Sequence, residues 1–191
     1  MKVLIVNTHD IQGGAARAAQ RLHRSLLSVG IDSQIMAQII KSSDYTILDS
    51  ASKFGKLANI VRPALDLLPA RVYRSRSKTL FSPAWLGLSN IVARINDIKP
   101  DIVHLHWVCG GMLKIEDIAR INAPLVWSLH DMWAFTGGCH YDENCGKYAS
   151  ICGACPVLGS SNQKDLSRKV WQRKAKIYPK LNLTVVGLSQ W

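Results

Sequence analysis

The sequence predicts an α/β domain built on one doubly wound, mainly parallel sheet. Two observations carry that expectation. Short apolar runs rich in β-branched residues recur at 2–7 (KVLIVN), 33–40 (SQIMAQII), 101–108 (DIVHLHWV), within 123–133 (APLVWSLHDMW) and at 183–189 (LTVVGLS). Such continuous runs are expected of strands buried on both faces. Segments with helical spacing lie between them, as crossover helices joining parallel strands require.

Each element can be justified in turn. The first strand leads through a Gly-Gly turn into a helix that carries Ala15, Ala18, Ala19, Leu22, Leu26 and Val29 on one face. Arg17, Arg21, Arg24 and Ser28 lie opposite, and Gly30 can close the end. After the second strand, 50–76 predicts one or two basic amphipathic helices, broken at Pro63 and Pro69. The segment 86–100 places Leu88, Ile91, Val92, Ile95 and Ile98 on one helical face and stops at Pro100. A third strand, a short helix at 114–122 and a fourth strand follow. A cysteine-rich loop at 136–156, a helix at 164–178 and a last strand complete the order. Only two residues follow Ser189, so the chain is expected to be one half of a larger protein.

A chain of 191 residues can bury one full core. With 48% hydrophobic and 19% charged residues it is expected to be globular rather than disordered. No apolar run approaches the roughly 20 residues of a membrane-spanning helix, and the N-terminus lacks the pattern of a signal peptide. A cytoplasmic location is therefore expected. There, clustered cysteines are more often ligands or thiols than disulfides. The net charge of +11 is concentrated in two segments, 53–78 and 164–180, each +6, while the remainder sums to −1. Two basic segments suit a polyanionic partner, and also suit two solvated helix faces.

In an open parallel sheet, ligands bind beyond the carboxyl ends of the strands. Three loops stand there. The first carries Gly13 and Gly14, which let a ligand approach the backbone at a helix N-terminus, with Arg17 one turn further on. The second carries His106 and Trp107 as candidate ligand contacts. His104, inside the strand, is expected to be a hydrogen-bonded core histidine, and Cys109 a small buried filler. In that loop Gly110 and Gly111 again allow close backbone approach. The third carries His130 and Asp131, where an imidazole could contact a phosphate or sugar hydroxyl or move a proton. No nucleophile elbow, Walker A loop or H-E-x-x-H pattern is present. Nor are the G-x-x-G-x-x-G and Y-x-x-x-K motifs that a nucleotide-sugar epimerase or dehydrogenase needs.

Cys139, Cys145, Cys152 and Cys155 are spaced C-x5-C-x6-C-x2-C. Four thiolates in a short loop can close a tetrahedral structural zinc site and order a segment that otherwise lacks a core. Disulfides, free thiols or an iron–sulfur cluster are the alternatives. A four-thiolate site keeps no open position for catalysis.

The strings KVLIVNTHDIQGGAARAAQRLHRSLLSVG, FSPAWLG, KPDIVHLHWV, LVWSLHDMWAFTGGCHY with its trailing cysteines, and VVGLSQW together resemble the N-terminal domain of a family 4 glycosyltransferase with the GT-B fold. The similarity is to colanic-acid, exopolysaccharide and lipopolysaccharide biosynthesis enzymes and spans nearly the whole chain. It implies a Rossmann-like domain on the acceptor side of a two-domain enzyme. Most of the nucleotide-diphosphate-sugar donor pocket would lie in a C-terminal domain absent from these 191 residues. It implies transfer with retention of configuration, without a catalytic metal, to a saccharide or lipid-linked acceptor. On this resemblance Gly13 and Gly14 match the glycine-rich loop and His130 the histidine that contacts the donor sugar. The fragment alone is expected to be inactive. A lipid-linked acceptor gives the basic 53–78 segment a partner, the anionic inner face of the membrane. Nucleic acid is disfavoured, since no signature or aromatic stacking pattern for it occurs. The alternative is a non-catalytic α/β binding module with a zinc-stapled loop, binding anionic membrane or nucleic acid.

Overall fold

The computed structural model describes residues 1–50, 56–87 and 90–188. Lys53, Leu88 and the end of the last expected strand, with 189–191, lie outside them. Along the described chain run β1 (Lys2–His9), α1 (Gly14–Ser28), β2 (Asp32–Ile39), β3 (Ile47–Asp49), α2 (Lys56–Asp66) and α3 (Leu68–Arg71). Then come α4 (Ile91–Ile98), β4 (Ile102–Leu105), α5 (Ile115–Ile118), β5 (Leu125–Leu129), α6 (Leu166–Ile177) and β6 (Leu183–Gly187). The six strands form one sheet in the order β3-β2-β1-β4-β5-β6, and every pairing is parallel. This is the expected Rossmann-like arrangement. The order turns back on itself between β1 and β4, which opens a crevice at their carboxyl ends.

β1 shows why its sequence is continuously apolar. Leu4 and Val6 enter the core shared with α4, α5 and α6, while Val3 and Ile5 enter the core against α1. Successive side chains point to opposite faces, and both faces are covered. Each buried aliphatic side chain contributes about 1.5–3 kcal/mol of burial energy.

The structure departs from expectation in several places. β3 was not foreseen; it pairs only Ile47, Leu48 and Asp49 with β2. Pro63 lies inside α2 and does not break it. Proline removes the N–H that would bond the carbonyl four residues earlier. That carbonyl, of Asn59, instead accepts from Gln38 Nε2 at 3.4 Å. Pro69 occupies the first turn of α3, where no N–H is needed. The helix expected over 86–100 begins only at Ile91, and the one over 114–122 is a single turn. Val29, expected on the apolar face of α1, is exposed, and His23 is buried there, bonded to Ser33 and Thr46 hydroxyls at 2.9 Å.

The two basic segments are not simple solvated faces. Arg62 is buried and its Nε donates to the Gly111 carbonyl at 2.7 Å. Lys174 is buried under the loop after β5, and Arg173 forms a two-pronged pair with Glu116 at 2.7 Å for each contact. Among the described residues no helix is long and apolar enough to cross a membrane.

Candidate active site

Three strand ends build the crevice. At the end of β1, the Asn7 carboxamide oxygen accepts from the Trp107 amide at 2.8 Å, and the Thr8 amide donates to the Trp107 carbonyl at 2.7 Å. These bonds lock the loop after β4 to β1. Asp10 accepts from the Lys41 and Ser42 amides at 3.0 and 2.7 Å, which fixes the loops after β1 and β2 to each other. These amides hold the Asp10 carboxyl below the usual range despite its burial. Gly13 then turns with φ +89°, a conformation that favours glycine, and α1 starts without a side-chain cap. A Cβ added at Gly13 or Gly14 would meet nothing within 4 Å. The glycines therefore face open space.

That space is a cavity of about 540 Å³, lined by Asn7, His9, Gln12, Gly13, Gly14, Ala15, Trp107, His130, Asp131 and Tyr141. Its lining joins an uncapped helix N-terminus, imidazoles and an indole with the carboxylate of Asp131. On the other side of His130 lies a second cavity of about 410 Å³, lined by Leu129, Met132, Phe135, Tyr148 and Leu188 among others. Phe135 and Tyr148 pack with ring centroids 5.2 Å apart. His130 and Asp131 border both.

Of the residues singled out in sequence, Gly13, Gly14, Trp107, His130 and Asp131 meet around the first cavity. Arg17 does not line it; its side chain is exposed, and its amide donates to the Gly13 carbonyl. His106 is also displaced from the ligand side. It is buried behind His130, with Nδ1 2.8 Å from His130 Nε2. His104 is the hydrogen-bonded core histidine expected, 2.9 Å from Ser128 Oγ, and Cys109 is buried. Gly110 and Gly111 allow close approach to α2 rather than to a ligand. A Cβ at Gly111 would lie 2.9 Å from the Arg62 carbonyl oxygen.

Burial sets the electrostatics. Desolvation brings His106 down to about 3 and His104 to about 4, each with a further contribution from neighbouring imidazoles. It also lowers His130, against the pull of Asp131. All three are neutral near pH 7. Asp131 is held below the usual carboxylate range although burial opposes this, because His140, the Trp133 amide and the Trp107 indole donate to it. The distances are 2.6 Å from His140 Nδ1, 2.8 Å from Trp133 N and 3.0 Å from Trp107 Nε1.

His140 also lies 2.9 Å from Ser82 Oγ. Ser82, His140 and Asp131 thus line up as a hydroxyl, imidazole and carboxylate, but Ser82 and His140 are buried. Ser82 N donates to the Gly138 carbonyl and Ser82 O accepts from Trp133 Nε1, both at 2.8 Å. This array clasps the loop after β5 rather than presenting a nucleophile. Lys174 supports the same loop from below, donating to the Trp133 and Thr136 carbonyls and sitting 3.7 Å over the Trp133 ring.

The expected zinc site finds no support among the described residues. Cys139, Cys145, Cys152 and Cys155 line one cavity of about 10 Å³, room for about one water. Among the described residues, however, no group of three or more histidine, cysteine or acidic side chains is arranged to hold a metal ion. All four are free thiols. Burial raises the free thiol of Cys139 to about 12 and that of Cys152 to about 11, and raises that of Cys155. Nor does the loop lack a core. Cys139 and Cys155 pack with Ala70, Phe81, Val157 and Leu158. Lys147 Nζ bridges the Gly153 and Ala154 carbonyls at 3.0 Å.

The sequence does not single out His9 or Tyr141, nor His140 as the partner of Asp131. His9 ends β1, a position that the strand-end rule could have flagged. Tyr141 and His140 reach the site only because 138–140 pairs with 80–82, through the Phe81–Cys139 bridge. No local signal marks that pairing.

Strand order, crevice and uncapped helix define an open parallel α/β domain of the Rossmann-like type, with a polar pocket at its switch point. The chain is similar to a protein of Escherichia coli (strain K12) that bears the provisional name colanic acid biosynthesis glycosyl transferase WcaC. The two are 24% identical over 169 residues, 84% of this chain and 40% of the relative. The chain therefore spans well under half the length of the relative it matches. No family model and no solved structure matches.

Proposed function

We propose that this chain is the acceptor-side half of a retaining glycosyltransferase that moves a sugar from a nucleotide diphosphate to a saccharide or lipid-linked acceptor in cell-surface polysaccharide synthesis. The observation that carries the reading is His130, standing between the polar cavity at the α1 N-terminus and the aromatic cavity of Phe135 and Tyr148. The polar side suits diphosphate oxygens, which bind uncapped helix N-termini and backbone amides. The aromatic side suits the apolar face of a sugar ring. His130, a neutral imidazole between them, hydrogen-bonds the sugar being transferred, and Trp107 and Asp131 shape the wall. A second domain, outside these residues, closes over the donor. The exposed basic and apolar surface of 60–80 holds the enzyme against an anionic membrane face where a lipid-linked acceptor would lie.

A transfer assay with labelled nucleotide sugars tests this, comparing the 191-residue chain with the longer protein that contains it. The longer protein is expected to transfer, and its His130→Ala variant to lose about 10- to 100-fold in kcat/KM, the worth of one good hydrogen bond to a charged or developing group. The 191-residue chain is expected not to turn over. Turnover by that chain alone would overturn the half-enzyme reading.

A further inference from the structure

We propose that His106 is a positioning residue for His130, holding that imidazole in the tautomer whose proton sits on Nδ1 and faces the cavity. The inference rests on the transferase reading for its use, but its geometry and its test stand alone.

His106 Nδ1 and His130 Nε2 are 2.8 Å apart, and the rings stack with centroids 5.0 Å apart and planes 26° from parallel. The backbone of His106 is pinned on both sides: its amide donates to the Val6 carbonyl at 3.0 Å and its carbonyl accepts from Trp127 Nε1 at 3.0 Å. His104 packs against its ring from behind, at 4.7 Å. The cavity beside the ring is only about 10 Å³, which leaves it little room to swing.

One hydrogen occupies the contact between the two imidazoles, and two arrangements can supply it. If His130 donates, a neutral His106 must carry its own proton on Nε2. That nitrogen is buried and has no partner among the described residues, so an N–H would be stranded there. If His106 donates, only a lone pair is stranded. Buried N–H groups without acceptors are rarer than under-used acceptors. His106 Nδ1–H therefore donates to His130 Nε2. A neutral His130 then carries its proton on Nδ1, and burial disfavours the charged form of both rings. No hydrogen bond engages that nitrogen among the described residues, and the ring lines both cavities. His130 is thereby fixed as an uncharged donor to an oxygen of the bound substrate, a sugar hydroxyl or a phosphate.

Two-bond proton–nitrogen spectra of the histidine rings, recorded on the 191-residue chain without substrate, read the tautomer directly. His130 is expected to show a protonated-type Nδ1 and an unprotonated-type Nε2. In His106→Ala both resonances should collapse toward the values of a tautomer average. His106→Asn, whose amide nitrogen can stand where Nδ1 stood, should restore the separated pair. Amide spectra report folding of each variant; if His106→Ala does not fold, the native tautomer decides alone. A proton on His130 Nε2 in the native chain, or unchanged His130 resonances in folded His106→Ala, would overturn the proposal. A correct tautomer in a protein that transfers no sugar would count against the transferase reading only.

Discussion

A Cβ added at Gly137 would lie 2.5 Å from the Ser167 carbonyl oxygen and 2.8 Å from Cys152 Cβ. Neither neighbour withdraws easily, because one is helix backbone and the other the Cβ of a buried cysteine. Gly137→Ala is therefore expected to cost about 1–3 kcal/mol, the usual range for overpacking, measured as a lower urea midpoint. Gly14 offers the contrast. A Cβ there meets nothing within 4 Å, and alanine suits a helix start better than glycine. Gly14→Ala should leave stability equal or raise it by up to about 1 kcal/mol. It should weaken pyrophosphate binding to the chain, followed by amide shift titration, if the open space is kept for an anion. Unchanged binding would mean the cavity does not use this approach. Lys174 gives a pH test. Burial lowers its ammonium to about 7 from an ordinary value of 10.5. Between these values the unfolded chain binds the extra proton, so this group makes folding more favourable as pH rises through the window; below 7 its full cost is present. From pH 7 to 9 the native chain should gain about 1 kcal/mol per pH unit relative to Lys174→Met, whose stability lacks this contribution. Parallel slopes in urea titrations would show that the two carbonyls and the Trp133 ring compensate the burial fully.

At the scale of elements, α6 is held at its start by one carboxylate. Asp165 Oδ1 accepts from Ser167 Oγ at 2.6 Å and the Arg168 amide at 3.2 Å, while Oδ2 accepts from the Cys155 amide at 2.9 Å. The same side chain caps a helix and ends the cysteine loop. Asp165→Ala is expected to cost about 2 kcal/mol, more than an exposed cap, because the buried Cys155 N–H loses its acceptor. A loss below about 0.5 kcal/mol in urea denaturation would show the cap to be incidental. The sequence displays the periodicity of α6 plainly, but not this second role, since Cys155 and Asp165 are joined by tertiary geometry. The same limit explains what else was legible. β1, β2, β4, β5 and β6 announce themselves as apolar runs, whereas three-residue β3 is too short to carry a period. Pro63 looked like a break because propensity counts the missing N–H and not Gln38, which takes over the freed carbonyl. Gly13, Gly14, Trp107, His130 and Asp131 meet at one cavity as strand-end residues should, because parallel strands bring their following loops to one edge. Arg17 and His106 were misplaced since position along the chain says which end a residue occupies, not which way it turns. The cysteine spacing fits a zinc site equally well on paper, and only the packing of Phe81, Val157 and Leu158 shows another source of order.

For the whole molecule, the net charge of +11 has to be divided between what the fold consumes and what it presents. Arg62 and Lys174 are turned inward, and Arg173 is paired with Glu116. Arg71, Arg74, Arg76 and Lys78 remain exposed. Close by in the chain, Ile60 and Val61 of α2, Leu68 of α3 and Val72 just after it are 71%, 45%, 44% and 74% exposed. Apolar side chains this open, next to cations in a segment whose one acid, Asp66, is buried, suit a surface with an apolar interior and anionic headgroups. Each well-placed cation is worth about 1 kcal/mol at such a surface, and the attraction fades within a Debye length. Replacing Arg71, Arg74 and Arg76 together by glutamine should then weaken binding to vesicles by about 3 kcal/mol, roughly 100-fold. Co-sedimentation with phosphatidylglycerol-containing vesicles, against pure phosphatidylcholine, measures this. Raising the salt should reproduce most of the loss in the native chain, and replacing Val72 by serine should weaken binding at every salt concentration. Equal sedimentation with the two vesicle types would leave these arginines as a solvated face and remove the membrane from the proposed function, while the crevice around His130 would stand unaffected.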